Sequence, residues 1–318
     1  MQRRTLLTST LALACGSAPA LATERTLKVV VPFQAGSATD TTARIIAERL
    51  GKATQRPVIV ENKPGASGLL AAREVIKADP AGDVVLMSTN TAITGINTLS
   101  EKPHFDPLVD LTPVTQVGEF AFLLVSHPRH GFTTTADFIQ YAKANPGKLN
   151  YASGSSSALF AMTQLIGMTG IQLNHIPYNS EPPAILDLVG GTIDVMFATP
   201  TTTMGFIRDG KLNALMTATK ERMSHFPKLP TMKEAGFSGM PLVPWGGFFG
   251  PRGMPKPVAL KLSRELNGVL ADPEVVKALA EHYITVTTSA SPDDFSAFVR
   301  DQLALSAKAV KDHNLIRK

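Results

Sequence analysis

The run Leu27-Lys28-Val29-Val30-Val31-Pro32-Phe33-Gln34-Ala35-Gly36-Ser37-Ala38-Thr39-Asp40 constrains the fold of this chain more than any other stretch. Its β-branched start reads as a buried strand, and Pro32, which has no N–H for a ladder, marks the strand's exit. Gly36 and Ser37 suit a tight turn. Asp40 or Thr39 is expected to cap a helix whose apolar positions are Ala43, Ile46, Ala47 and Leu50. A strand, a small-residue loop and a helix N-terminus together aim unpaired backbone N–H groups above the sheet, where an anion is the guest they favour. The same pattern also serves as a plain strand-to-helix turn in an α/β core.

The pattern recurs. Val58-Ile59-Val60-Glu61-Asn62 reads as a strand followed by Lys63-Pro64-Gly65-Ala66-Ser67-Gly68, and Val84 to Met87 as one followed by Ser88-Thr89-Asn90-Thr91. Further on, the strand at Asn150-Tyr151-Ala152-Ser153 leads to Gly154-Ser155-Ser156-Ser157, and the strand at residues 193–198 leads to Thr199-Pro200-Thr201-Thr202. In a parallel sheet such ends share one edge, where open α/β folds bind ligands. Phe120-Ala121-Phe122-Leu123-Leu124-Val125 reads as one strand crossing into a second half. Residues 226–245 and 246–257 read as irregular, Pro/Gly-rich segments, with helices over 257–270, 273–281 and 292–312 to follow. The expected organisation is two α/β halves: residues 23–124 with 246–318, and residues 125–245, with the helical tail returning to the first half. Met162, Met168 and the apolar residues around them read as core.

Residues 1–22 differ from the rest. Arg3-Arg4 precede an apolar run and then Ala18-Pro19-Ala20-Leu21-Ala22, the pattern of a secretory signal cleaved after Ala22 rather than of a membrane span. Arg3-Arg4-Thr5-Leu6-Leu7 also resembles a twin-arginine signal. The single cysteine, Cys15, departs with the signal unless it is lipidated, so the exported chain needs no disulfide. A formal net charge of +5 without a basic tract excludes nucleic acid as a partner class. No later stretch is long and apolar enough to span a bilayer. The histidines are scattered, and Gly-x-Gly-x-x-Gly, Gly-x-x-x-x-Gly-Lys and Gly-x-Ser-x-Gly are absent, so no metal, cofactor or catalytic role is expected.

Taken together, Val31-Pro32-Phe33-x-Ala35-Gly36-Ser37-x-x-Asp40-x-x-Ala43-Arg44, Val60-Glu61-Asn62-Lys63-Pro64-Gly65-Ala66-x-Gly68, Asn150-Tyr151-Ala152-Ser153, Pro182-Pro183-Ala184 through Asp194-x-x-Phe197, Leu229-Pro230-Thr231-x-x-Glu234-Ala235-Gly236 and Trp245-x-Gly247 span nearly the whole chain. This set resembles the substrate-binding subunits of the tripartite tricarboxylate transporters, the Bug family of extracytoplasmic solute receptors. The resemblance implies a type II periplasmic binding-protein fold, with two Rossmann-like lobes closing about a cleft. It also implies a periplasmic, monomeric receptor that passes a small carboxylate (a di- or tricarboxylate, an acidic amino acid or an aromatic acid) to membrane transporter subunits. A receptor feeding a signalling system, or an exported enzyme on the same scaffold, are the alternatives.

The ligand carboxylate is expected on backbone N–H groups, hydroxyls and waters rather than an arginine clamp, and Arg44 reads as a lobe-stabilising charge. The candidate ligand-binding residues are Phe33, Ala35, Ser37, Asp40, Gly65, Ala66, Ser67 and Thr89 from the first half, with Ser153, Ser155, Ser156, Ser157, Tyr178, Asp194 and Thr199 from the second. Trp245 either packs the lobe core or lines the pocket, and the same holds for Phe33 and Phe160. Two places depart from the family's pattern. Serines and Phe160 stand where more glycine and a histidine are common, and Asn179-Ser180-Glu181 stands where a basic residue and glycine commonly follow Pro-Tyr. Mass spectrometry of protein released by gentle outer-membrane disruption should find its N-terminus at or near Thr23. A chain still carrying Met1 would contradict the signal reading.

Overall fold

The computed structural model describes residues 25–219, 221–223, 226–237 and 244–313. The signal-like segment 1–22, with Arg3, Arg4, Cys15 and the expected cleavage point, lies outside them. Strand β1 (Leu27–Val31) pairs in parallel with β2 (Val58–Asn62) on one side and β3 (Val84–Thr89) on the other. A strand enclosed in this way is covered on both faces, which is why its sequence shows no polar alternation. Val29 faces helix α1 (Ala38–Thr54), sharing a core with Ile46, Leu50, Leu262 and Leu266, while Val30 faces the opposite layer with α2 (Leu69–Ile76), Trp245, Phe249 and Phe295.

After β3 a π-helical turn (Thr91–Gly95) runs into the short α3 (Ile96–Thr98), and the chain enters β4 (Thr112–Phe120). The stretch expected to be one crossing strand is two. Strand β4 ends at Phe120 in the first sheet, and β5 (Leu123–Ser126) opens in the second, so Ala121 and Phe122 carry the chain across. There follow α4 (Thr135–Ala144), β6 (Asn150–Ser153), α5 (Ser156–Thr169), β7 (Asn174–Pro177), α6 (Glu181–Val189), β8 (Val195–Ala198), α7 (Pro200–Arg208) and β9 (Asn213–Thr217). The chain then returns through β10 (Trp245–Gly250), α8 (Lys256–Leu270), α9 (Pro273–Glu281), β11 (Ile284–Val286) and α10 (Pro292–His313). The result is a six-stranded sheet of order β11-β4-β10-β3-β1-β2 and a five-stranded sheet of order β7-β6-β8-β5-β9, each clothed by helices. This is a bilobed α/β architecture of the type II periplasmic binding-protein kind.

Three local readings are corrected. The segment beginning at Gly246 is not irregular: β10 lies in the middle of the first sheet, antiparallel to both β3 and β4. Its glycines mislead a propensity argument but are needed by packing, since a Cβ on Gly247 would stand 2.3 Å from the Phe295 ring. Helix α7 was not anticipated after Thr199, because Pro200 and three threonines resemble a loop, yet Pro200 sits in the first turn, where proline's missing N–H costs nothing. The cap of α1 is neither Asp40 nor Thr39 but Ser37, whose Oγ accepts from the Asp40 N–H at 3.2 Å. Trp245 belongs to the core, edge-on to Phe295 and Phe298. The tail helix α10 packs on the first lobe, and near its end Ala309 and Val310 meet Leu99 and the second lobe's Phe160.

Candidate functional site

The two lobes meet where the loops after β1, β3, β6, β7 and β8 converge around a cavity. Each loop is short and leads into a helical turn, so the first turns of α1, α5, α6 and α7 gather at one place. Ser37 takes up the Asp40 N–H, leaving Ala38 and Thr39, both on the cavity wall, as the first-turn positions ahead of any intrahelical bond. Across the cleft Ser155 caps α5 in the same way, accepting from the Ala158 N–H at 3.1 Å. Gly154 makes this possible on the second lobe. A Cβ there would stand 2.6 Å from the Glu181 Cα, so only glycine lets the head of α6 lie against the head of α5.

The lobes are bonded directly to each other. The Gln34 N–H donates to Ser180 Oγ at 3.2 Å, and the Ser157 hydroxyl donates to Asn90 Oδ1 at 3.1 Å beside the Thr91 hydroxyl. Phe33, Phe120 and Phe122 supply an apolar wall. No lysine, arginine or histidine lines the cavity among the described residues, so negative charge can be met there only by N–H and O–H donors and the positive ends of helices. The arrangement leaves no place for an arginine clamp among the described residues of this wall.

Of the candidate residues, Phe33, Ser37, Thr89, Ser155, Ser157 and Thr199 line this cavity. Ala66, Ser67, Ser153 and Tyr178 line an adjoining one that shares Phe33, Thr91, Gly154 and Ser155 with the first. Ala66 and Ser67 both hold left-handed backbone there, at φ 47° and 53°. The Ser153 hydroxyl is engaged by His175 at 2.6 Å, and the Tyr178 hydroxyl donates to Asp187. Burial, then the Asp187 carboxylate, pushes Tyr178 up to about 12. Ser156 faces a separate small void next to Gly95 and Phe160.

Ala35, Gly65, Asp40 and Asp194 are on neither cavity wall. Asp40 is 3% exposed and fully engaged: its carboxylate accepts from the Gly36 N–H at 2.9 Å, from Asn62 Nδ2 at 2.8 Å and from Arg44 Nε at 3.0 Å. Burial pushes its carboxyl up, but Arg44, Gly36 and Asn62 together outweigh that and hold it below the usual carboxylate range. Arg44 is therefore the lobe-stabilising charge its position suggests. Asp194 stands just before β8, whose other end leads to Thr199 at the cavity. It accepts from the Asn150 N–H at 2.7 Å and pairs with Arg129 and His130. Wall residues with no place among the candidates include Asn90, Thr91, Phe120 and Glu181. The first two follow Thr89 in the same small polar loop and were legible there. Glu181 is the first residue of α6, ahead of Pro182 and Pro183, and stands there at the wall.

A family model described as the tripartite tricarboxylate transporter family receptor matches residues 42–315. The chain belongs to that family. It is 31% identical over 292 residues to the protein BugT of Bordetella pertussis, covering 91% of this chain and 89% of that one. Among solved structures it resembles the periplasmic binding protein BugD (TM-score 0.88, 30% identity, 93% of this chain and 99% of that one). It also resembles MatC of Rhodopseudomonas palustris with bound malate (TM-score 0.84, 28% identity, 90% of this chain and 99% of that one). The family is one of solute-binding receptors, not catalysts, and among the described residues no cluster of histidine, cysteine, aspartate or glutamate could hold a metal ion. In this receptor Ser37 and Ser155 hold the two helix ends that face each other. Ser37→Ala and Ser155→Ala should each lose ~1 kcal/mol of stability in urea unfolding with the cap. Each should also weaken a confirmed acid ligand by about fivefold or more in isothermal titration. Unchanged affinity in both variants would place the anion elsewhere.

Proposed function

We propose that this receptor captures a small carboxylate between its lobes in the periplasm and hands it to the membrane subunits of a tripartite tricarboxylate transporter. The observation that carries the reading is the cavity itself. The heads of α1 and α5, from opposite lobes, meet there with serine and threonine hydroxyls, and no cationic side chain among the described residues competes for the anion. A carboxylate leaving water loses strong hydrogen bonds, and charge-assisted N–H···O⁻ and O–H···O⁻ bonds from both sides replace them. Malate bound to MatC, a protein of the same architecture, supports a compact acid as the guest. Each lobe extends to where the chain passes between sheets, at Ala121 and Phe122 and again before β10. With half the donors on each lobe, the ligand is complete only when the lobes are together, which ties binding to closure.

The signal-like residues 1–22 and the likeness to the periplasmic binding protein BugD support export. Among the described residues no helix is long and apolar enough to cross a membrane. Thermal-shift screening should raise the melting temperature with small mono-, di- and tricarboxylates and leave it unchanged with sugars and polyamines. The size of the effect follows mass action, about 2.7 kcal/mol at a hundredfold excess over Kd. Stabilisation by a polyamine and by none of the acids would overturn the carboxylate reading.

A further inference from the structure

The cavity wall carries one ionisable side chain among the described residues, and it is an acid. Glu181 is 8% exposed, at the head of α6. Its Oε1 accepts from the Thr199 hydroxyl at 2.5 Å, from the Thr199 N–H at 3.1 Å and from the Thr202 hydroxyl. Its Oε2 has only a share of the same Thr199 N–H, at 3.2 Å, so most of its accepting capacity is unused. No cation among the described residues stands against it. Burial is the larger cause and leaves this carboxyl raised above the usual range, against the pull of the Thr199 and Thr202 donors, so only a neighbouring cation would hold it fully ionised. A buried carboxylate with donors on one oxygen and no counter-charge is a receptor missing its positive half.

We propose that Glu181 binds an ammonium group on the ligand, so that the acid held in this cavity is an amino acid rather than a plain carboxylate. The inference rests on the carboxylate reading above and narrows it. Charge balance favours it. A plain dicarboxylate would bring two further negative charges beside a buried acid on a wall without lysine or arginine, and like charges at close range in a dry site repel. A zwitterion brings its own counter-charge. Its carboxylate goes to the N–H and hydroxyl donors around Ser37 and Ser155, and its ammonium goes to the open side of Glu181. Phe33, Phe120 and Phe122 then face the carbon skeleton, and aromatic faces also tolerate a neighbouring ammonium. Position adds to chemistry. Ser180, next to Glu181, is bonded across the cleft to the Gln34 N–H, so the acid reaches the first lobe's donors as the lobes come together.

The alternative, that Glu181 only caps α7 through Thr199 and Thr202, predicts no effect on ligand choice. Isothermal titration of the exported protein with matched pairs separates the two: L-aspartate against succinate, L-glutamate against glutarate, and L-alanine against propanoate. The amino acid should bind at least about tenfold tighter in every pair with measurable binding, the range of a charge-assisted hydrogen bond. In Glu181→Gln the ratio of the two affinities should fall to near one. Glu181→Asp, which withdraws the charge by one methylene, should lower the same ratio and serves if the glutamine variant does not fold. Equal or tighter binding of the amino-free acids, or a preference that survives Glu181→Gln, would overturn the role of Glu181 and leave the carboxylate reading standing. Failure of all six acids to bind would bring down the carboxylate reading, and this inference with it.

Discussion

A carboxylate can be taken out of water without a lysine or arginine only if N–H and O–H donors replace its hydration shell from several directions at once. If the cleft takes a carboxylate, as proposed, that requirement organises this molecule. The donors are the first turns of helices, and a helix points its first turn at a ligand only when a strand delivers it through a short loop. The parallel parts of both sheets, β1 with β2 and β3, and β6 with β7 and β8, do this repeatedly. Serines at the two heads each settle one N–H of their helix; on α1 this leaves Ala38 and Thr39 at the cavity wall, while on α5 the Ser157 N–H is met by the Thr91 hydroxyl across the cleft at 3.4 Å. The aromatic wall and the lobe-to-lobe bonds narrow the cleft, and polar contacts strengthen as a site loses water.

The same economy explains where the charged residues went. Asp40 lies within the first turn of α1, where an acid complements the helix field, and it is tied to Arg44, Asn62 and the Gly36 N–H rather than offered to a guest. Asp194 is likewise spent on Arg129, His130 and the Asn150 N–H, just before a strand whose far end reaches the cleft. Both acids are engaged within their own lobes and stand off the cavity walls. Among the described residues Glu181 alone is an acid at the cavity wall with an oxygen to spare, and it stands in one of the two places where the chain departs from the family's usual pattern.

Much of this was legible in the residues, because the deciding signals are local. The β-branched run before Pro32, the helical spacing of Ala43, Ile46 and Leu50, and the recurrence of small polar loops after strands all reflect backbone physics that needs no distant partner. The error at the α1 cap was one of position: Ser37 and Asp40 stand three residues apart, the spacing of a reciprocal cap, and the serine takes the capping place. What sequence could not supply were features set by long-range packing. Strand β10 is glycine-rich because Phe120 and Phe295 occupy the space its side chains would need. Phe120 and Phe122 reach the cavity only because the chain crosses between sheets there, and Glu181 stands at the wall as the first residue of α6. Asp194 illustrates the opposite limit, a residue prominent in the motif whose work is done away from the ligand.

The central claim is that one anion is held jointly by the heads of α1 and α5. Backbone amide shifts followed by NMR during titration with an acid that binds test this most directly. The account predicts that the amides of Ala38 and Thr39 on one lobe and of Ser157 and Ala158 on the other shift together and saturate at one shared Kd. Shifts confined to a single lobe, or centred on residues remote from the cleft such as Arg222 and Glu234, would contradict it.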